Sequence, residues 1–218
     1  MKRTKKLPLY TDNPSSSASL GGKITHYRSK ESIYSQGAPA YTLFYIQAGG
    51  VRLSTRSKNQ PAAVTAILGV GDFFGELCLV GLPLRMSTAV ALTASSIRVI
   101  KKNSMLRLLQ QKNKKSLSFV SYLVNSIKKY QDHVAELLTS PAEQRLARVL
   151  LRLAYLDKKR PSANGIPTLS DQVLAEMVGT TRSRVNLFMN RFRKLGYIRY
   201  NGEIEVHKSL QKVLRASK

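Results

Sequence analysis

The sequence predicts an α+β chain in three parts: an antiparallel β-rich half, a long amphipathic helix, and a helix-turn-helix closed by a β-hairpin. Three observations carry that reading. Short β-type runs alternate with turn residues over 23–100, and apolar residues recur every three or four positions over 104–138. Two short helical patterns then meet at Val178-Gly179-Thr180. The first texture suits a sandwich or barrel, the second a helix with one apolar stripe, the third a tight reversal between helices.

Residues 1–22 begin MKRTKK and continue without an apolar run long enough for a signal peptide, so they read as a disordered basic, serine-rich arm. A β domain is expected over 23–110. Its strands fall at residues 41–47, 51–55, 64–68, 88–92 and 97–100, among others, with Gly37-Ala38-Pro39, Gly49-Gly50, Gly69-Val70-Gly71 and Gly81-Leu82-Pro83 between them. The long helix is placed at 111–139. Its stripe of Phe119, Leu123, Ser126, Ile127, Tyr130, Val134 and Leu137 or Leu138 needs a partner, either its own domain or a second copy. Pro141 interrupts the pattern, a new helix is expected at 142–156, and residues 158–167 read as a loop.

The domain over 140–218 carries the clearest local signals. Ser170 is an N-cap candidate before Val173, Leu174 and Met177, Gly179 supplies a left-handed backbone, and Thr181 is placed to cap the next helix. At about 100° per residue, Val185, Phe188, Met189 and Phe192 share one side of that helix. Arg182, Asn186, Asn190 and Arg193 share another, with Ser183 at its edge. A basic amphipathic helix alone is often only a solvated face. Here two β-type runs, 197–200 and 203–207, follow it across Asn201-Gly202, the strongest two-residue hairpin signal. A helix-turn-helix with such a wing reads double-stranded DNA with its second helix and meets phosphate with the hairpin.

Composition sets bounds. Lys and Arg number 36 against 12 Asp and Glu, a formal charge of +24 that attracts polyanions. The excess is spread, with 20 basic and 6 acidic residues in 1–140 and 16 and 6 in 141–218. Charge therefore does not locate an interface. One cysteine, Cys78, excludes a disulfide framework or a cysteine-ligated iron–sulfur cluster within one chain. His26, His133 and His207 lack metal or haem-ligand spacing, and no run of 18 apolar residues could span a membrane. No nucleophile–base pair or nucleotide-transfer motif is present, so catalysis is not expected. A reducing, cytoplasmic location is the default.

In order and spacing these segments resemble the Crp/Fnr family of bacterial transcription regulators, from about Lys23 to the C-terminus. The resemblance rests on Gly71-Asp72-Phe73-Phe74-Gly75-Glu76-Leu77 with Arg85 beyond it, and on the stretch from Glu176 to Val185. It implies a jelly-roll-like β-roll sensor domain, a long helix pairing in a homodimer, and promoter DNA as partner, with RNA polymerase a further one. It also implies an effector pocket drawn from Gly75, Glu76, Leu77, Arg85, Met86, Ser87, Tyr130 and Gln131. In cyclic-nucleotide-binding members the glutamate takes the ribose hydroxyl and the arginine pairs with phosphate. The residue after that arginine is usually Ser or Thr; here Met86 cannot donate, although Ser87 follows. Three readings of the pocket stay open: a cyclic nucleotide, another small effector, or none, with Glu76 and Arg85 an internal ion pair. At the DNA end the resemblance makes Arg182 the guanine reader and Ser183 the second specificity position. Arg184, Asn186, Asn190 and Arg193 lie alongside, and the Thr181 N–H can hold a phosphate. The alternative to a switched regulator is a constitutive or architectural DNA binder with a vestigial sensor.

Overall fold

The computed structural model describes residues 21–58, 62–111, 113–154, 165–166, 169–201 and 203–215. Nearly all of the expected arm, most of the expected loop at 158–167, and Gly202 of the hairpin turn lie outside the described residues.

The β domain holds β1 (Lys23–Tyr27), β2 (Ser32–Tyr34), β3 (Thr42–Ala48), β4 (Val51–Thr55), β5 (Ala63–Leu68), β6 (Phe73–Phe74), β7 (Thr88–Ala91) and β8 (Ser95–Lys101). They form two four-stranded sheets, β1-β8-β3-β6 and β2-β7-β4-β5. Strand β3 shows why both faces are needed. Its alternation sends Phe44 and Ile46 between the sheets, with Val51, Phe74, Ala89 and Ile97, and sends Leu43 and Tyr45 to the opposite face. That second face is covered by helices.

The helical stretch predicted over 104–138 is broken into α1 (Lys102–Gln110) and α2 (Lys114–Thr139). Asn113 makes the break: its side chain accepts the Lys115 and Ser116 N–H groups and so caps α2. Met105 and Leu108 of α1 and Phe119 of α2 bury against Leu43 and Ile100. Tyr122 of α2 fixes the helix to β6, accepting from Phe73 N at 2.8 Å and donating to Phe73 O at 2.9 Å. The ring itself packs edge-on to Phe73 at 5.1 Å.

The opposite face of α2 carries Leu117, Val120, Val124, Ile127, Val134 and Leu138, all exposed. Their spacing of three and four is a heptad seam, with Gln131 at the one polar position in it.

The C-terminal domain holds α3 (Ala142–Ala154), β9 (Gly165–Ile166), α4 (Asp171–Val178), α5 (Arg182–Lys194), β10 (Ile198–Asn201), β11 (Glu203–Val206) and α6 (Gln211–Arg215). The last strands form an antiparallel sheet, β10-β11-β9. Leu146 and Leu150 of α3, Leu174 and Val178 of α4, and Val185 and Phe192 of α5 are inaccessible and pack on Ile198, Ile204 and Leu210. The two domains touch where Val64 and Ile67 of β5 reach this core. Arg52 and Glu176 lie 4.0 Å apart across the same junction. No helix among the described residues is long and apolar enough to cross a membrane.

Candidate DNA-reading face and sensor cassette

The helix-turn-helix is built from local signals. The Ser170 hydroxyl accepts from Val173 N and starts α4; Gly179, at φ 67°, ends it. Thr181 accepts from Arg184 N and starts α5 three residues after α4 stops. Val185, Phe188, Met189 and Phe192 are buried, as the spacing predicts. Arg182, Ser183, Arg184, Asn186 and Arg193 are exposed, and Asn190 is half-buried.

The polar side chains are not independent. Asn186 Nδ2 donates to Asp171 Oδ2 at 3.2 Å, Asn190 Nδ2 to Asn186 Oδ1 at 3.0 Å, and Arg193 Nη2 to Asn190 Oδ1 at 3.1 Å. Asp171, absent from the predicted set, thus anchors a ladder along one flank of α5. Its carboxylate also helps raise the Tyr200 hydroxyl pKa on the wing, behind burial. On the other flank Arg184 lies over the Phe188 ring at 5.9 Å, and Arg191 pairs with Glu143 at 3.2 Å. Arg182 and Ser183 stand at the open N-terminal end, where the helix dipole and free N–H groups favour anions.

The sensor cassette is made by the turn after β6. Gly75, at φ 74°, leads into a 3-10 turn over Glu76–Val80 that Gly81 closes. Arg85 comes back over it, tied by backbone bonds to Ala38 and Gly37. The residue is only 5% exposed. The guanidinium lies 4.4 Å from the Tyr34 ring centroid and 5.1 Å from that of Phe44. It donates to Gly75 O at 3.3 Å and to Thr42 Oγ1 at 2.9 Å. A Cβ at Gly75 would sit 2.6 Å from Arg85 Nη1 and displace the guanidinium, and the φ of 74° independently favours glycine.

Glu76 acts on Arg85 through space: burial raises its carboxyl pKa, and Arg85 lowers it in part. Burial also lowers the Arg85 pKa. Arg85 Nε is buried with no hydrogen-bond partner among the described residues. Ser87 hydrogen-bonds Tyr34, whereas Leu77 and Met86 are exposed.

The structure therefore joins Gly75, Glu76, Arg85 and Ser87 through Tyr34, Thr42 and Phe44, which sequence reading missed. Leu77 and Met86 stand outside this cluster, and Gln131 lies on the exposed seam of α2. Tyr130 belongs to a neighbouring space. It lines a cleft of about 350 Å³ with β5, Tyr122, Lys129, His133, Arg152 and Met177. Burial raises its hydroxyl pKa, with Glu76 next and Asp72 after it. The cleft thus lies between β5 and α2 and reaches Val149 and Arg152 of α3 and Met177 of α4. Burial likewise raises the Cys78 thiol pKa, which suits a core residue better than a redox sensor.

Comparison with known proteins matches both halves. Residues 24–112 match the cyclic nucleotide-binding domain family, and residues 144–210 the Crp-like helix-turn-helix domain family. A CRP-like cAMP-activated global transcriptional regulator of Mycobacterium tuberculosis (strain ATCC 25618 / H37Rv) is 23% identical over 173 residues, 78% of this chain and 77% of that protein. The cAMP-activated global transcriptional regulator CRP of Salmonella typhimurium is 26% identical over 186 residues, 83% of this chain and 87% of its own. Among solved structures, FixK2 from Bradyrhizobium japonicum superposes with a TM-score of 0.74 at 20% identity, covering 91% of this chain and 98% of that one.

The raised Glu76 pKa gives a pH test. The folded chain holds this proton more tightly than the unfolded chain, so the group's contribution is most favourable at low pH. It is lost as pH rises through the ordinary carboxylate range toward the raised value. Glu76→Gln is expected to raise the thermal midpoint at pH 7, with the gain closing at about pH 3, below the ordinary carboxylate value, where Glu76 is neutral in folded and unfolded chain alike. A variant no more stable than the parent at pH 7 would show that Arg85 fully compensates the buried charge.

Proposed function

Because this chain belongs to the Crp/Fnr family of DNA-binding transcription regulators, we propose that it works as a cytoplasmic homodimer on promoter DNA, switched by a small effector at the β-roll. The observation that carries the DNA reading is the capped helix α5, seated on a closed core with Arg182 and Ser183 exposed at its N-terminal end. Arg182 presents two parallel donors to guanine O6 and N7, while Ser183 discriminates weakly. Arg182→Ala is expected to cost about 1–3 kcal/mol of discrimination between operator and scrambled duplex, measured by anisotropy at about 150–200 mM salt. Equal parental affinity for both duplexes in that salt would instead favour the architectural reading.

The heptad seam of α2 supports the homodimer. Six exposed apolar side chains on one stripe are covered when two copies pair in parallel, and Gln131 then meets its own counterpart. Sedimentation velocity should give twice the 24.3 kDa chain mass. Ile127→Asp is expected to return the chain to monomer and weaken operator binding at least tenfold. A monomeric parent would remove the dimer from this reading.

The effector reading rests on Arg85. A buried guanidinium with a free Nε beside a buried carboxyl is costly to keep and is suited to an anionic ligand that draws it from Tyr34 and Phe44. Cyclic AMP, cyclic GMP and cyclic di-GMP are the first probes. A bound one at 100 times its Kd should add about 2.7 kcal/mol of stability, and Arg85→Gln should abolish the gain. No shift with any probe, together with unchanged operator binding in Arg85→Gln, would make the cassette a structural device.

A further inference from the structure

We infer that Leu187 reads a thymine C5-methyl group at the centre of each half-site, an inference that rests on α5 being the base-reading helix. Leu187 is 65% exposed and belongs to no core cluster. It is the only apolar side chain among the exposed residues of α5, whose outer surface is otherwise Arg, Ser, Asn and Lys.

Its direction makes the exposure meaningful. Taking about 100° per residue, the buried set of Val185, Phe188, Met189 and Phe192 defines the inward side. Ser183, Leu187, Asn190 and, at the far end, Lys194 then point within about 30° of the opposite direction. The Asp171–Asn186–Asn190–Arg193 ladder runs down one flank of this line, and Arg184 and Arg191 hold the other. When such a helix enters a major groove, the residues farthest from its own core go deepest. Leu187 lies one turn beyond Ser183 on that line.

At that depth the chemistry is selective. The groove edges of guanine, adenine and cytosine offer donors and acceptors, and the only apolar group there is the thymine methyl. A leucine over guanine or cytosine would strip water from those polar atoms without replacing a hydrogen bond. Over thymine it covers the methyl and itself leaves water. One side chain therefore favours an A·T pair and penalises a G·C pair, complementing Arg182, which favours guanine.

The test uses the full chain and an operator selected by it from a random duplex pool. Each thymine is replaced singly by deoxyuridine, which lacks only the methyl. One symmetric pair of positions should weaken binding by about fourfold per half-site, the worth of one buried methyl-sized group. Leu187→Ala should bind thymine and deoxyuridine duplexes within about twofold of each other while keeping the guanine preference set by Arg182. Its thermal midpoint should stay close to the parent's, because the side chain is largely exposed and belongs to no core cluster. The inference is overturned if no thymine methyl affects the parent, or if the methyl effect survives intact in Leu187→Ala. Selection of no consensus at all would instead remove α5 as a base reader.

Discussion

The two halves of this chain are joined through the guanidinium of Arg145. Its Nη1 donates to Leu137 O and Ser140 O at the end of α2, its Nε to Val178 O at the end of α4, and its Nη2 to Gly179 O in the turn. Helix C-termini leave carbonyls without intrahelical partners and carry partial negative charge. A single fixed cation satisfies two of them at once, which a lysine point charge could not do with the same geometry. The angle at which α5 leaves the turn therefore depends on where α2 ends. Any shift of α2 against α4 must carry these bonds along or break them.

A series of such contacts runs back to the cassette. Arg85 touches Gly75; Gly75 follows β6; Phe73 of β6 is held at both its N–H and its carbonyl by Tyr122 of α2. From Tyr122 the rigid body of α2 leads to Arg145 and then to α4 and α5. Lys129 adds a second tie, an ion pair to Asp72 at 3.1 Å, although one so exposed on the lysine side contributes little energy. The connection is physical rather than a correlation: each step is a named hydrogen bond or a packed helix. A buried charge as costly as Arg85 thus stands at the head of this series, where the proposed effector would act on α2.

Much of this was legible in the sequence, and what was legible was local. Ser170, Gly179 and Thr181 announce the helix-turn-helix because a cap interacts only with residues two to four positions away. The core side of α5 follows from periodicity for the same reason. The sequence places the start of the long helix at 111, within three residues of the Asn113 cap, because residues 110–116 carry no apolar side chain; α1 before it reads as part of the β domain because its own apolar run is short. The cassette was half visible. Glu76, Arg85 and the glycine between the strand and the turn stand close in sequence, but the aromatic walls come from Tyr34 and Phe44 and the hydroxyl from Thr42. Those arrive only through strand pairing. Gln131 was assigned to the pocket; within the single chain the helical phase of α2 puts it on the outward seam, which the residues before it at spacings of three and four already indicate.

Charge was the most conspicuous property of the sequence and the least informative about recognition. On α5, Arg191 is engaged by Glu143, Arg193 by Asn190, and Arg184 by the Phe188 ring. These contacts hold long side chains in place before DNA arrives, which lowers the ordering cost of binding. They are also the residues best placed for phosphates, which carry no sequence information. In the proposed reading, base recognition falls to Arg182 at the leading end of the helix and to the uncharged Ser183 and Leu187 on its outward side. On that reading a chain with 36 basic residues separates attraction from discrimination: the first would come from the whole surface, the second from a few side chains whose direction is set by four buried ones.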